Sequence, residues 1–357
     1  MKQIILKFVG VLGAVVIGLA NGACSGSSAS PFDGPVAIEL LGVAEVSRTH
    51  PMTGNPVGGF SDIAYDPVAQ AWVVVSNRQP DPIAYTLRTS FDPRPESEGD
   101  AWVAGTFEAW LGREWPVPGD AEDAEAVAIR RTATGSHQRV WALEREPTVL
   151  IENLRSDTSR TLDLPEDVRD HYRFDDAIKA LAIVPDRAGD QVWGAISAPL
   201  STDEQDSPGL TRVLVWRVEY EEPVRTRFYA PDRYGMDGEH LGAIVGLSTV
   251  PGAGWRDDLP VFAVERSTGP DEIARLFLLE GEERREDLLF PMLTKRSIGT
   301  LSDLVEGPFG RASGLAIGPE IADLRGGRLV LVTVNDGFAP SGKAQRVYAF
   351  RVQTDAD

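Results

Sequence analysis

Lys179-Ala180-Leu181-Ala182-Ile183-Val184-Pro185 is a short apolar run with small residues near its start and a proline at its end. Four other stretches share its shape: Ser61-Asp62-Ile63-Ala64-Tyr65-Asp66-Pro67, Glu125-Ala126-Val127-Ala128-Ile129, Val245-Gly246-Leu247-Ser248-Thr249-Val250-Pro251 and Ser313-Gly314-Leu315-Ala316-Ile317-Gly318-Pro319. Each is too short for a helix and continuous enough for a strand buried on both faces. After each comes a turn and a second apolar strand: Ala71 to Ser76, Arg139 to Leu143, Gln191 to Ser197, Leu259 to Val264 and Arg328 to Val334. A third strand then alternates apolar and polar residues, as in Val213-Leu214-Val215-Trp216-Arg217-Val218 and Arg346-Val347-Tyr348-Ala349-Phe350-Arg351-Val352.

Fourth strands fit near Trp102–Trp110, Ser159–Leu164, Val224–Tyr229 and Asp287–Leu293. The fifth unit runs out of chain before its fourth strand, and Val36–Val46 is free to supply it. Four-stranded units recurring at a regular interval predict an all-β fold, a β-propeller over residues 36–353 whose ring is closed by an N-terminal strand. Closure also removes the exposed edge that a stack of sheets would present. Five blades are counted. A sixth stays open if a long segment between repeats hides an irregular blade, and a sandwich or a pair of β-domains is the competing architecture. The 35 Gly and 25 Pro of the 357 residues suit many turns.

The N-terminus carries a different signal. Lys2 and Lys7 flank an apolar run from Phe8 to Ala20, the length of a signal-peptide core and short for a bilayer span. Asn21-Gly22-Ala23 then leads to Cys24, the single cysteine, and to the tether Ser25-Gly26-Ser27-Ser28-Ala29-Ser30. The expected organisation is a lipoprotein-type signal over 1–23, lipidation at Cys24, a flexible tether over 24–35 and one propeller domain. Ordinary cleavage after Ala23 is the alternative, and Asn21 departs from the aliphatic residue usual there. The expected location is the cell envelope, at the outer membrane facing the periplasm or at the cell surface, with membrane contact through the lipid alone. With one cysteine no intrachain disulfide can form. Lys plus Arg total 35 against 54 Asp plus Glu, a formal charge of −19, so nucleic acid is an unfavourable partner. A monomer is expected.

In an antiparallel blade the end of the second strand lies beside the start of the first, so both positions share one face of the ring. Those positions hold Asn77-Arg78, Glu144-Arg145-Glu146, Glu265-Arg266 and Asn335-Asp336 from second strands, and Asp62, Asp123, Glu125, Asp175, Asp176 and Lys179 from first strands. A mixed carboxylate and arginine mouth suits a small anionic or ester ligand; ion pairs that merely close the channel are the alternative. Glu125, Glu144 and Glu265 are the candidate catalytic carboxylates. Asn77, Arg78, Arg145, Arg266 and Asn335 are candidate ligand contacts, the arginines gripping phosphate or carboxylate oxygens. Calcium takes six to eight oxygens, and Asp123, Glu125 and Asp336, with Glu144 and Glu265, offer them. There is no G-x-S-x-G elbow, no zinc pattern and no phosphate loop. The four histidines, His50, His137, His171 and His240, fall in expected loops. Trp72, Trp141, Trp193 and Trp216 are expected core residues; Trp110, Trp115 and Trp255 lie nearer loops.

Gly58-Gly59-Phe60-Ser61-Asp62-Ile63-Ala64-Tyr65-Asp66-Pro67 leading to Val74-Val75-Ser76-Asn77 resembles the phytase-like β-propeller family described by its esterase-like activity. Val264-Glu265-Arg266 and the run from Gly314-Leu315-Ala316 to Val334-Asn335-Asp336-Gly337-Phe338 resemble it as well. The resemblance implies an exported hydrolase of phosphate or carboxylic esters, with calcium by analogy to the propeller phytases. Several blades of that family open with Glu-Gly. The pairs here are Ser61-Asp62, Glu125-Ala126, Lys179-Ala180, Val245-Gly246 and Ser313-Gly314, of which only Glu125 keeps the carboxylate. A non-catalytic binding or scaffold propeller is therefore the second expectation.

Overall fold

The computed structural model describes residues 34–77, 81–95, 102–119, 123–131, 135–144, 147–171, 178–235, 237–251, 260–270, 272–321, 327–335 and 345–354. The signal segment, Cys24, Arg78, Arg145 and Asp336 lie outside these residues, as do Asp175, Asp176 and Trp255. Strand β1 (Val36–Val46) precedes a first blade of β2 (Phe60–Asp66), β3 (Ala71–Ser76), β4 (Ile83–Pro95) and β5 (Trp102–Pro116). The second blade is β6 (Ala124–Arg131), β7 (His137–Leu143), β8 (Thr148–Asn153) and β9 (Thr158–Leu162). A short helix α1 (Glu166–His171) leads to the third: β10 (Ile178–Val184), β11 (Gln191–Ile196), a one-turn α2 (Asp203–Asp206), β12 (Thr211–Arg217) and β13 (Pro223–Tyr229). The two-residue β14 (Arg233–Tyr234) precedes the fourth: β15 (His240–Thr249), β16 (Val261–Ser267), β17 (Ala274–Glu283) and β18 (Met292–Thr300). The fifth is β19 (Ala312–Glu320), β20 (Arg328–Val334) and β21 (Gln345–Thr354).

Strand β1 pairs antiparallel with β21 over ten residue pairs, from Val36↔Thr354 to Val46↔Gln345, and so supplies the fourth strand of the last blade. The inner strands neighbour one another in a closed ring, β2–β6–β10–β15–β19 and back to β2. Among the described residues the ring has five blades, as the repeats predicted. Blades three and four also touch at their outer ends through a parallel bridge, Phe228↔Met292. One expected boundary moves. The fourth strand of blade four is Met292–Thr300, not Asp287–Leu293, because Arg285 to Leu288 form a turn held by the Leu288 amide on the Arg285 carbonyl. Helix α2 stands between β11 and β12, where the Arg212 guanidinium clamps both Asp203 oxygens at 2.7 Å.

The core is divided into five clusters, one at each blade junction. Strand β10 shows why a continuous apolar run is required. Ala180, Ala182 and Val184 pack toward blade four, while Ile178 and Leu181 pack toward blade two. A strand between two blades has no solvent face, so both sides of its pleat must be apolar. Trp72, Trp141, Trp193 and Trp216 are buried there as expected, whereas Trp110 is 45% exposed on an outer strand.

The inner strands also carry a shared irregularity. In all five, one extra residue bulges out at the head of the strand: Ser61, Glu125, Lys179, Val245 and Ser313 each lack a partner on the second strand. A bulge re-aims its side chain and twists the strand, here at the rim of the channel. The next residue lies where backbones converge. A Cβ on Gly246 would stand 2.6 Å from the Leu315 amide nitrogen and from its Cβ, and one on Gly314 would stand 2.6 Å from the Asp62 Cα. Gly246→Ala should therefore cost about 1–3 kcal/mol by overpacking. Gly281→Ala, whose Cβ meets nothing nearer than 3.6 Å, should change the urea midpoint little.

Candidate functional site

The repeated bulge gives the mouth a regular layout. Beside the bulged residues stand the residues that follow or end the second strands: Asn77, Glu144, Ser197, Arg266 and Asn335. In three blades that residue's amide closes the same turn, Asn77 on the Gly59 carbonyl, Glu144 on Asp123 and Asn335 on Arg311. Blade two is acidic at all three of its positions, Asp123, Glu125 and Glu144. Blade three answers with Lys179, blade four with Arg266 and blade five with Arg311. Blade one is neutral, with Ser61 and Asn77, and the Ser61 hydroxyl donates to the Ala124 carbonyl at 2.8 Å.

Asp123, Glu125 and Glu144 are buried, and one carboxylate oxygen from each lies within 4.8 Å of the others. The Lys179 ammonium donates to Glu144 Oε1 at 2.9 Å and pairs with Glu125 Oε1 at 3.0 Å. Glu144 is 1% exposed, and its Oε2 is buried with no donor to satisfy it. Desolvation is the largest influence on Glu144 and outweighs the pull of Lys179; with the repulsion of Glu125 it lifts the carboxyl to about 7. The pull of Glu125 and Glu144 raises the Lys179 ammonium despite its own desolvation. One ammonium does not balance three buried carboxylates, and a proton retained on Glu144, the more distant Arg266 or a bound cation would each meet part of the remaining charge. The triad could hold a metal ion, since three hard oxygen donors and an unsatisfied Oε2 converge there.

Asp62 extends the cluster toward the ring axis. It is 1% exposed, its Oδ2 accepts the Val127 amide at 2.9 Å, and burial holds its carboxyl well above the usual range. It occupies the position that Gly246 and Gly314 fill in blades four and five, against Leu315.

Glu265 is placed elsewhere. Neighbouring strand residues point to opposite faces, so Arg266 turns toward Glu125 while Glu265 turns into the junction of blades three and four. The Glu265 side chain is 0% exposed. Oε1 accepts the Tyr229 hydroxyl and the Lys295 ammonium, and Oε2 accepts the Asp232 amide at 2.9 Å and the Tyr234 hydroxyl at 3.2 Å. Lys295 also pairs with Asp232 at 2.9 Å, and Arg275 with the same residue at 3.0 Å. All four contacts of Glu265 come from within the protein, so this carboxylate pins two blades together. Sequence position could not distinguish it from Glu144, because both end a second strand.

The histidines divide similarly. His50 is buried rather than solvated: its Nε2 meets the Gly112 carbonyl at 2.6 Å and its Nδ1 lies 3.0 Å from the Thr53 hydroxyl. His137 opens β7 and faces Asp66 at 3.1 Å, and His240 opens β15. None of these contacts reaches the blade-two carboxylates. Trp115 lies under the Arg139 guanidinium at 4.3 Å.

With this geometry in view, comparison with known proteins is informative at one level. The family model described as esterase-like activity of phytase, or phytase-like, matches residues 55–337, and the chain belongs to that family. No curated protein sequence matches it. Among solved structures, the PQQ-bound aldose sugar dehydrogenase of Streptomyces coelicolor is similar over 90% of this chain and all of its own, at 10% identity and a TM-score of 0.40. The tail fibre of Staphylococcus aureus phage P68 is similar over 87% of this chain and 53% of its own, at 9% identity and a TM-score of 0.44. The parainfluenza virus 5 hemagglutinin-neuraminidase ectodomain covers 84% of this chain and 71% of its own, at 10% identity and a TM-score of 0.38. At these values none of them informs the chemistry.

Two outcomes follow from the electrostatics. Glu144 keeps its proton in the folded state up to about pH 7, whereas the unfolded chain releases it near the ordinary glutamate value. Between those two points the folded state binds more protons, so stability falls as pH rises through the window. Melting temperatures measured across it should decline for the native chain, and Glu144→Gln should flatten the decline. Glu265→Gln should cost about 1.5–3 kcal/mol in urea unfolding, the worth of charge-assisted hydrogen bonds to its carboxylate, because Lys295 keeps its pair with Asp232.

Proposed function

We propose that this is an exported, lipid-anchored monomeric propeller that hydrolyses phosphate or carboxylic esters at the mouth formed by Asp123, Glu125, Glu144 and Lys179. The observation that carries the reading is the convergence of three buried carboxylates, two of them paired with Lys179, with Glu144 Oε2 left unsatisfied. Buried acids in so small a volume are costly unless they are used. Family membership supports ester chemistry, and the signal-like segment with Cys24 supports export and anchoring.

Hydrolysis at this site needs water as co-reactant. On this reading Glu144 gives its proton to the leaving oxygen as the ester bond breaks, while Glu125 accepts one from the attacking water. Lys179 holds both carboxylates in register. Calcium is the proposed cation; Asp123, Glu125 and Glu144 would hold it in place of the Glu144 proton, and it would then offset their charge and polarise the ester oxygen itself. Lys179 would compete with it for Glu125 and Glu144.

A second reading is favoured by Lys179 itself. A tethered ammonium at 2.9 and 3.0 Å already supplies part of what a metal would, and the sequence offers no recognisable nucleophile–base pair. On that reading the propeller binds or scaffolds without turnover.

The two readings part in one experiment. A chromogenic phosphate monoester and a chromogenic carboxylic ester are assayed with the purified chain, with and without calcium, alongside a calcium titration by calorimetry. The hydrolase reading expects saturable turnover that falls about 10²–10⁴-fold in Glu144→Gln at unchanged fold. Absence of turnover on both esters, with and without calcium, would sink it in favour of the binding reading.

A further inference from the structure

We infer that Arg266 and Arg311 form an anion subsite across the mouth from the blade-two carboxylates, taking one compact anionic group, a phosphate monoester or a carboxylate. The inference rests on the hydrolase reading and names the kind of substrate its mouth accepts. In the closed ring of five, blades four and five are the pair farthest from blade two. Arg266 occupies the second-strand position that Glu144 fills in blade two. Arg311 occupies the position of Asp123, because the Asn335 amide closes on its carbonyl as the Glu144 amide closes on that of Asp123. Two of the three positions that are acidic in blade two thus carry arginine on the far side.

The arginines are brought together by a direct contact. Arg266 Nη1 crosses the junction and donates to the Ala312 carbonyl at 3.0 Å, the residue next to Arg311. Among the described residues neither arginine forms an ion pair within 4.0 Å, in contrast to Lys179, which has two. Arg266 lies within electrostatic reach of Arg311, which repels it, and of Glu125, which attracts it. Burial and that repulsion push its guanidinium down to about 10, which leaves Arg266 charged at neutral pH. Glu272 reaches the residue before Arg311, and its Oε2 is engaged there by the Gly310 amide at 2.7 Å. Asn335 and Ser313 add neutral polar groups on the same blade.

Two guanidinium groups within electrostatic reach of each other on adjacent blades suit a planar carboxylate or a phosphate, each offering paired oxygens. The remainder of the ligand would extend toward Glu144. Polyanions are disfavoured, since further negative groups would meet Asp123, Glu125 and Glu144.

The test is calorimetric titration of inorganic phosphate, and separately of acetate, into the full chain and into Arg311→Gln, Arg266→Gln and Glu144→Gln. Arg311 is exposed, so its replacement should leave the melting temperature unchanged and keeps the test meaningful if Arg266→Gln unfolds. The expected result is binding of at least one anion that weakens about tenfold or more in Arg311→Gln, the loss of one charge-assisted contact, and persists in Glu144→Gln. No binding of either anion, or affinities unchanged in Arg311→Gln, would overturn the subsite. Ester turnover is read apart from this: anion binding without turnover sinks the hydrolase and leaves the subsite standing. Turnover of a neutral carboxylic ester without anion binding does the reverse.

Discussion

The extra residue at the head of every inner strand is the constraint on which the mouth depends. A regular strand alternates its side chains between the two neighbouring blades and has none to spare for the channel. Inserting one residue breaks that alternation once and turns a polar side chain to the rim in four of the five blades, while the apolar pattern on either side stays in phase with the core; in blade four the bulged Val245 stays in the core. Ile178 and Leu181 face the same junction although they are three positions apart, because Lys179 is the residue left over. The same device presents Glu125, Ser61 and Ser313 to the rim without opening any of the five core clusters.

Placing charge at such a rim has an electrostatic consequence. The inner strands approach so closely that only glycine fits at Gly246 and Gly314, and water has little room beside Asp62 or Glu144. Desolvation then dominates both carboxyls. Blade two concentrates acids and blades three to five supply the cations, so neutrality is reached across the ring rather than within a blade. Glu265 shows the other solution: a fully buried carboxylate surrounded by two hydroxyls, an amide and an ammonium has no capacity left for a ligand.

Much of the candidate site was legible before folding. The repeat places Glu125, Lys179 and the second-strand ends Glu144, Arg266 and Asn335 at one face, because antiparallel pairing leaves no other place for them. Arg311 was missed, although a signal existed: it precedes its strand as Asp123 precedes the strand of blade two. Glu265 was grouped with Glu144 because both end a second strand. Which way a side chain leaves such a position is set by the bulge register and by partners such as Tyr229 and Lys295, distant in the chain.

The sequence by itself determined the all-β repeat, a count of five blades with a sixth left open, and the availability of Val36–Val46 to close the ring, since these follow from apolar periodicity and from an unpaired strand at each end of the chain. Its charge and N-terminal segment likewise stand without reference to folding. The tertiary structure decided that Lys179 sits between Glu125 and Glu144, that Glu144 titrates near neutrality, and that Glu265 is a structural pin. Those outcomes depend on which charges become neighbours and how much water is excluded around them. Both are set by contacts between blades more than thirty residues apart, to which no local pattern is sensitive.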